Sequence, residues 1–251
     1  MRTLLLAVAL LPAVPLCAQH EPPAHVPGTP AAGQVSFTDD NDPFLPNTFI
    51  GSFRMEMHLY KNGTEAREGP TTVHYWSSAD KTLLTLPGTA GKGQAMKMLT
   101  DLQGKWTYML MQDVTGKKTG MKSRKKKIVV TDGGPDNSPQ FTWTGETKLI
   151  DGHSCDKMTG TTDNGSWTAW VAKDLQANLG DLLGAIGQGR NDASALRDLK
   201  GMVLEMEAVS ADGNAKSLIY VKDLKPGPVD EGVFSLDGYE IREMPALGTG
   251  H

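Results

Sequence analysis

Apolar and polar side chains alternate from Phe53 to Tyr60. Phe53, Met55, Met57 and Leu59 fall on one side, and Arg54, Glu56, His58 and Tyr60 on the other. Side chains along a strand repeat every two residues, so this stretch predicts a half-buried β-strand. Asn62-Gly63 follows, two residues that tolerate positive φ, and predicts a tight turn. Further strands are predicted over Thr71–Ser77, Lys81–Leu86, Gln94–Asp101, Lys105–Asp113, Lys122–Thr131, Gln140–Leu149, His153–Thr161 and Ser166–Ala172. Gln103-Gly104 and Asp163-Asn164-Gly165 mark two of the connections. Short runs joined by turn residues are the pattern of an antiparallel meander.

The period then changes. Leu175, Leu179, Leu182, Leu183 and Ile186 fall on one stripe of a helix, with Asp174 as N-cap and Gly187 as stop. Gly180 and Gly184 lie inside it, each costing about 1 kcal/mol relative to alanine. A second short helix is predicted over Asp192–Lys200, ending at Gly201. Strands resume at Met202–Ser210 and Lys216–Leu224 around Asp212-Gly213-Asn214, and Gly232–Met244 reads as a short extended segment. The expected class is therefore α+β, one antiparallel β-rich domain over residues 48–245 with a helical insert at 174–201 and a tail at 246–251.

The segments before this domain read differently. Met1-Arg2-Thr3, the apolar run Leu4–Leu11, Pro12, Pro15 and Leu16-Cys17-Ala18 have the layout of a signal peptide over residues 1–18, cut after Ala18. Lipidation of Cys17 is the rival reading, although Leu16 is larger than the residue that usually precedes a lipidated cysteine. Residues 19–47 hold six prolines and few large apolar residues, so they are expected to be a disordered, extended tether. Its Asp39-Asp40-Asn41-Asp42 run lacks the glycine and distal glutamate of an EF-hand loop and reads as a solvated acidic stretch.

A formal charge of −4 over 251 residues argues against a nucleic-acid-binding protein. With two cysteines, one of them in the leader, neither a disulfide scaffold nor a multi-cysteine zinc site is available. The motifs G-x-S-x-G, H-E-x-x-H, C-x-x-C, the P-loop and a strand-following G-x-G-x-x-G are missing, so no enzyme activity and no cofactor are expected. His153 and Cys155 share a strand face by spacing, but no third group orients them as base and nucleophile.

Methionine is the unusual residue, with twelve in the chain. Met55/Met57, Met96/Met98 and Met109/Met111 recur two apart, which puts each pair on one face of its strand. Such pairs fill an ordinary core, or line a deformable cavity for varied apolar partners, or offer thioethers to Cu(I). Met55-Glu56-Met57-His58 holds suitable donor types, yet His58 belongs to the opposite strand face. The cavity reading takes Met55, Met57, Met96, Met98, Met109, Met111, Leu179, Leu182, Leu183 and Ile186 as ligand-binding, with the Leu175–Ile186 helix as its lid. One dense basic run stands out, with Lys122, Arg124, Lys125, Lys126 and Lys127 at its centre. It reads either as a solvated edge or as a contact for anionic lipid headgroups.

Glu146-Thr147-Lys148-Leu149-Ile150-Asp151-Gly152-His153-Ser154-Cys155-Asp156-Lys157, then Trp170-Val171-Ala172-Lys173-Asp174-Leu175, then Gly232-Val233-Phe234-Ser235-Leu236-Asp237-Gly238-Tyr239-Glu240-Ile241 form a recognisable series. Together they resemble a family of secreted bacterial proteins known as a domain of unknown function. That family is similar in architecture to the periplasmic lipoprotein carriers of the LolA/LolB kind. The resemblance implies a curved antiparallel sheet, a half-open β-barrel, closed by one or two helices around an apolar cavity. The carriers' arginine motif is not recognisable here, so lipoprotein transfer is not implied. The expected function is an exported, cell-envelope protein that binds an apolar or acylated ligand. The alternatives are soft-metal binding through methionine and a ligand-free interaction module.

Overall fold

The computed structural model describes residues 34–67, 69–86, 95–131, 140–162, 165–176 and 199–244. The predicted alternation becomes two meanders. The first comprises β2 (Gly51–Lys61), the short β3 (Thr64–Glu65), β4 (Thr71–Ser77), β5 (Lys81–Leu86), β6 (Met96–Asp101), β7 (Trp106–Gln112) and β8 (Lys118–Arg124). The second comprises β10 (Gln140–Ile150), β11 (His153–Thr162), β12 (Gly165–Ala172), β13 (Met202–Ser210) and β14 (Ala215–Pro226). They join where β14 pairs with β2, Val221 opposite Met55 and Ile219 opposite Met57. The sheet then runs in the order β10-β11-β12-β13-β14-β2-β4-β5-β6-β7-β8-β15, where β15 is Glu240–Glu243. Among the described strands every pairing is antiparallel except β15 on β8. Among the described residues the sheet does not close on itself, and its ends are β10 and β15.

In β2 the residues Gly51, Phe53, Met55 and Met57 are buried and their neighbours half-buried, as the alternation requires. Cross-strand partners share a face, so the buried side of β2 continues into Val73 and Tyr75 of β4 and Leu84 of β5. This inner face carries the main core, in which Met55, Val73, Met158 and Ala169 are fully enclosed. Met55, Val73 and Met158 each contribute about 1.5–3 kcal/mol by leaving water. A second, smaller core lies on the outer face. Leu83, Leu99 and Leu110 pack there against Phe234, with Val233, Leu236, Tyr239 and Ile241 around them. Gly120 permits this, because a Cβ there would lie 2.6 Å from the Ile241 Cδ1.

The structure departs from the sequence reading in three places. The single helical element among the described residues is a 3-10 turn, Glu231–Phe234, so closure of the sheet by helices is not seen in them. It lies inside the segment expected to be extended, and starts where the Asp230 carboxylate accepts from the Gly232 N–H at 2.9 Å. Most of the expected insert at 174–201, including its apolar stripe beyond Leu175, lies outside the described residues.

The expected strand Lys122–Thr131 is two strands, β8 and β9 (Lys126–Thr131), with a break at Lys125. Lys125 leaves the ladder because its N–H bonds the Lys105 carbonyl and its own carbonyl accepts from the Asp40 N–H, both at 2.9 Å. Finally, the span read as a tether contains β1 (Gln34–Asp39), antiparallel to β9. Asn47 ends that span by donating to the Ser78 and Lys81 carbonyls, at 2.7 and 3.1 Å.

Candidate functional site

The inner face changes character toward β8. Met98 of β6 opposes Leu84 and Met109, and Met109 of β7 opposes Met121 of β8. Beside this row Met96 opposes Leu86, and Met111 opposes Thr119. On the other side lies a hydroxyl row, Thr82, Thr100, Thr107 and Ser123. From β4 to β8 the inner face is therefore apolar, thioether or hydroxyl at every position, with no charged side chain. The charges of the same strands, among them Lys97, Asp101, Lys118 and Lys122, take the outer face.

The predicted methionines thus divide. Met55 and Met57 are core residues, 0% and 5% exposed, and offer no open surface. Met96, Met98 and Met109 are half-buried, while Met111 is 38% exposed. Met121, at 36% exposure, belongs to the same patch and was missed, because it has no partner two residues away on its strand. Leu179, Leu182, Leu183 and Ile186 lie outside the described residues. Two cavities are found elsewhere. One of about 550 Å³ lies between β6, β7 and the segment around Tyr239, lined by Lys97, Gln112, Lys118 and Ser235 among others. The other, about 340 Å³, is a shallow depression over Thr142, Thr159, Thr168 and Glu207. Neither touches the methionine patch.

The basic run meets carboxylates of its own chain. Lys125 pairs with Asp40, which also takes Lys105 at 3.4 Å. Lys126 pairs with Asp39 and Lys127 with Asp42, each at 2.5 Å. Lys122 pairs with Glu243 at 3.3 Å, and both it and Arg124 lie over the Trp106 ring. The acidic run expected to be solvated is the counter-charge of Lys125–Lys127. Sequence spacing holds no signal for this, because the partners stand some 85 residues apart. Lys125 holds the Asp40 carboxyl well down, at about 2.

Cys155 is fully buried, and burial pushes its thiol pKa up, with Asp174 adding to the effect. Its Sγ donates to the His153 carbonyl at 3.5 Å, while the His153 Nδ1 is 2.7 Å from the Asp174 carboxylate. We expect thiol reagents to label native Cys155 at least about tenfold more slowly than the urea-unfolded chain, because only the exposed thiolate reacts. Equal rates in the two states would contradict its burial. His58 turns to the outer face and meets Glu65 at 2.7 Å, so it cannot share an ion with Met55 or Met57. The described residues contain no group of three His, Cys, Asp or Glu placed to hold a metal.

No family model matches the chain, and no curated protein matches it in sequence. Solved structures similar to it include PNGF-II, at 17% identity and a TM-score of 0.40 over 78% of this chain and 31% of that one. The chain thus spans under a third of PNGF-II. Mycobacterium tuberculosis lipoprotein LppX is similar at 11% identity and a TM-score of 0.35, over 72% of this chain and 89% of that one. A putative outer membrane lipoprotein-sorting protein domain from Vibrio parahaemolyticus is similar at 11% identity and a TM-score of 0.19, over 74% and 89%.

Proposed function

We propose that the protein binds an apolar or acylated ligand along the inner face of β4–β8, as an exported protein of the cell envelope and without catalysis. The observation that carries this reading is the uncharged inner face, whose methionines stay partly open while Met55 and Met57 close the core beside them. Charged side chains are plentiful on the same strands, and all of them take the other face. Methionine is unbranched and polarizable, so this surface adapts to acyl chains of different length. Each CH₂ that leaves water against it contributes about 0.8 kcal/mol. The export reading rests on residues 1–18.

The test is fatty-acid titration of the delipidated protein, with native mass spectrometry of the purified protein for a co-purified lipid. Saturable binding is expected, weakened at least about tenfold by Met109→Asp, which places a carboxylate in the centre of the patch. The same substitution at Leu149, 74% exposed on β10 at the other end of the sheet, should leave binding unchanged. A delipidated protein that shows no saturable binding would remove the proposal.

A further inference from the structure

We infer that Met98, Met109 and Met121 form a binding site for a soft monovalent cation of the Cu(I) type. The three stand directly opposite one another on adjacent strands, Met98 with Met109 and Met109 with Met121. Neighbouring strands lie about 4.8 Å apart, and opposed residues bring their Cβ atoms to about 4.5–5.5 Å. A methionine sulfur is carried beyond Cβ on freely rotating bonds, so the outer two can lean toward the central one and give three thioethers around one ion. None of the three is locked in the core: Met98 and Met109 are half-buried and Met121 is 36% exposed. Met96 and Met111 stand in the adjoining row and supply further sulfur within one strand step.

The ligand chemistry around the row sets the choice of ion. Thioethers are soft donors that favour Cu(I). The nine inner-face positions of β6–β8 hold five methionines and four hydroxyl residues, with no imidazole, thiol or carboxylate to take Zn(II) or Ca(II). The row ends opposite Met121 at Arg242 of β15, whose guanidinium is 2.6 Å from Glu240, a carboxylate that also takes Lys117 at 3.1 Å. The inference uses the same face as the proposed apolar ligand but does not depend on it.

The test separates the two, because leucine keeps the volume and apolarity of methionine and removes only the sulfur. Ag(I), the redox-inert analogue of Cu(I), is titrated into the full chain carrying [methyl-13C]methionine. The expected result is saturable binding of one ion, with the methyl resonances of Met98, Met109 and Met121 shifting and those of the core residues Met55 and Met158 unmoved. Each of Met98→Leu, Met109→Leu and Met121→Leu is expected to weaken Ag(I) about tenfold, and the triple variant at least 100-fold. All of them should keep the wild-type thermal melt, and Zn(II) should not compete. Absence of saturable Ag(I) binding by the wild-type chain would overturn the inference, as would undiminished binding by the triple leucine variant. Absence of fatty-acid binding by the wild-type chain would count only against the apolar-ligand reading.

Discussion

Gly51→Ala is expected to cost the fold about 3 kcal/mol or more and to lower its melting temperature by roughly 6–12 °C. Gly51 stands at the joint of the two meanders, opposite Pro226 of β14 on one side and Ser77 of β4 on the other. Its φ is +151°, a backbone conformation that L side chains rarely adopt. A Cβ there would lie 2.5 Å from the Lys225 carbonyl oxygen, 2.9 Å from the Phe49 Cζ and 3.0 Å from the Pro226 Cα. Two of these are backbone atoms of the partner strand, so relief requires moving β14 away from β2. Phe49 has little room to yield, since its carbonyl accepts from the buried Ser77 hydroxyl. Gly63→Ala makes the comparison: φ is +77° there, but nothing lies within 4 Å, so only the backbone strain of about 1–2 kcal/mol remains. Thermal melts of the two variants decide the matter. A Gly51→Ala protein no less stable than Gly63→Ala would contradict the described joint.

Acid is expected to release residues 34–42 from the body of the protein while the large sheet stays folded. Asp40 is 8% exposed and its carboxylate is shared by Lys125 and Lys105. Its Oδ1 also accepts from the Asp42 N–H at 3.1 Å. Its pKa is about 2 in the folded protein, chiefly through the hydrogen bond from Lys125, against an ordinary value of 3.8. The sign follows from which state binds protons more readily. The unfolded segment takes up its proton first, so the contribution is complete above about pH 4 and disappears as pH falls toward 2. It amounts to about 1–2 kcal/mol once solvent screening of the partly open lysines is allowed for. Hydrogen exchange of the backbone amides at 34–40 should therefore accelerate between pH 4 and 2 beyond the intrinsic change, while the β2 amides do not follow. Asp40→Asn should give the acid behaviour already at pH 7. Equal protection of residues 34–40 in wild type and variant at neutral pH would show that the charges do not hold the segment.

Local pattern made the strands legible. The alternation from Phe53 to Tyr60 identified β2 and its buried side, and the methionine pairs marked a face that the structure leaves partly open at β6 and β7. Pair spacing also had two blind spots. It grouped Met55 and Met57 with the patch, although Val73 and Val221 beside them enclose Met55 completely. It passed over Met121, whose membership comes only from standing opposite Met109. Pairings between distant segments leave no period to read. The charges of Asp39–Asp42 and Lys125–Lys127 were both plain in the sequence, yet their attraction depends on β1 lying beside β9. Likewise β15 offers four residues, too few to show a pattern, and joins β8 in parallel because Ile241 fits over Gly120.

The β14–β2 joint also bears on the time the chain needs to fold. Glu56 and Lys222, paired across it, are 166 residues apart. Drawing the ends of so long a loop together costs about 4–5 kcal/mol of chain entropy beyond a constant, and no ladder bond repays any of it until the strands touch. β4 lies close to β2 along the chain, so the first hairpin is quick to form and β14 is the late arrival. In the interval β2 is a bare edge of eleven residues with Phe53, Met55 and Met57 uncovered, a template for pairing with another copy. Folding is therefore expected in the millisecond-to-second range of long-range β proteins. The hazard in that interval is intermolecular, and dilution should suppress it.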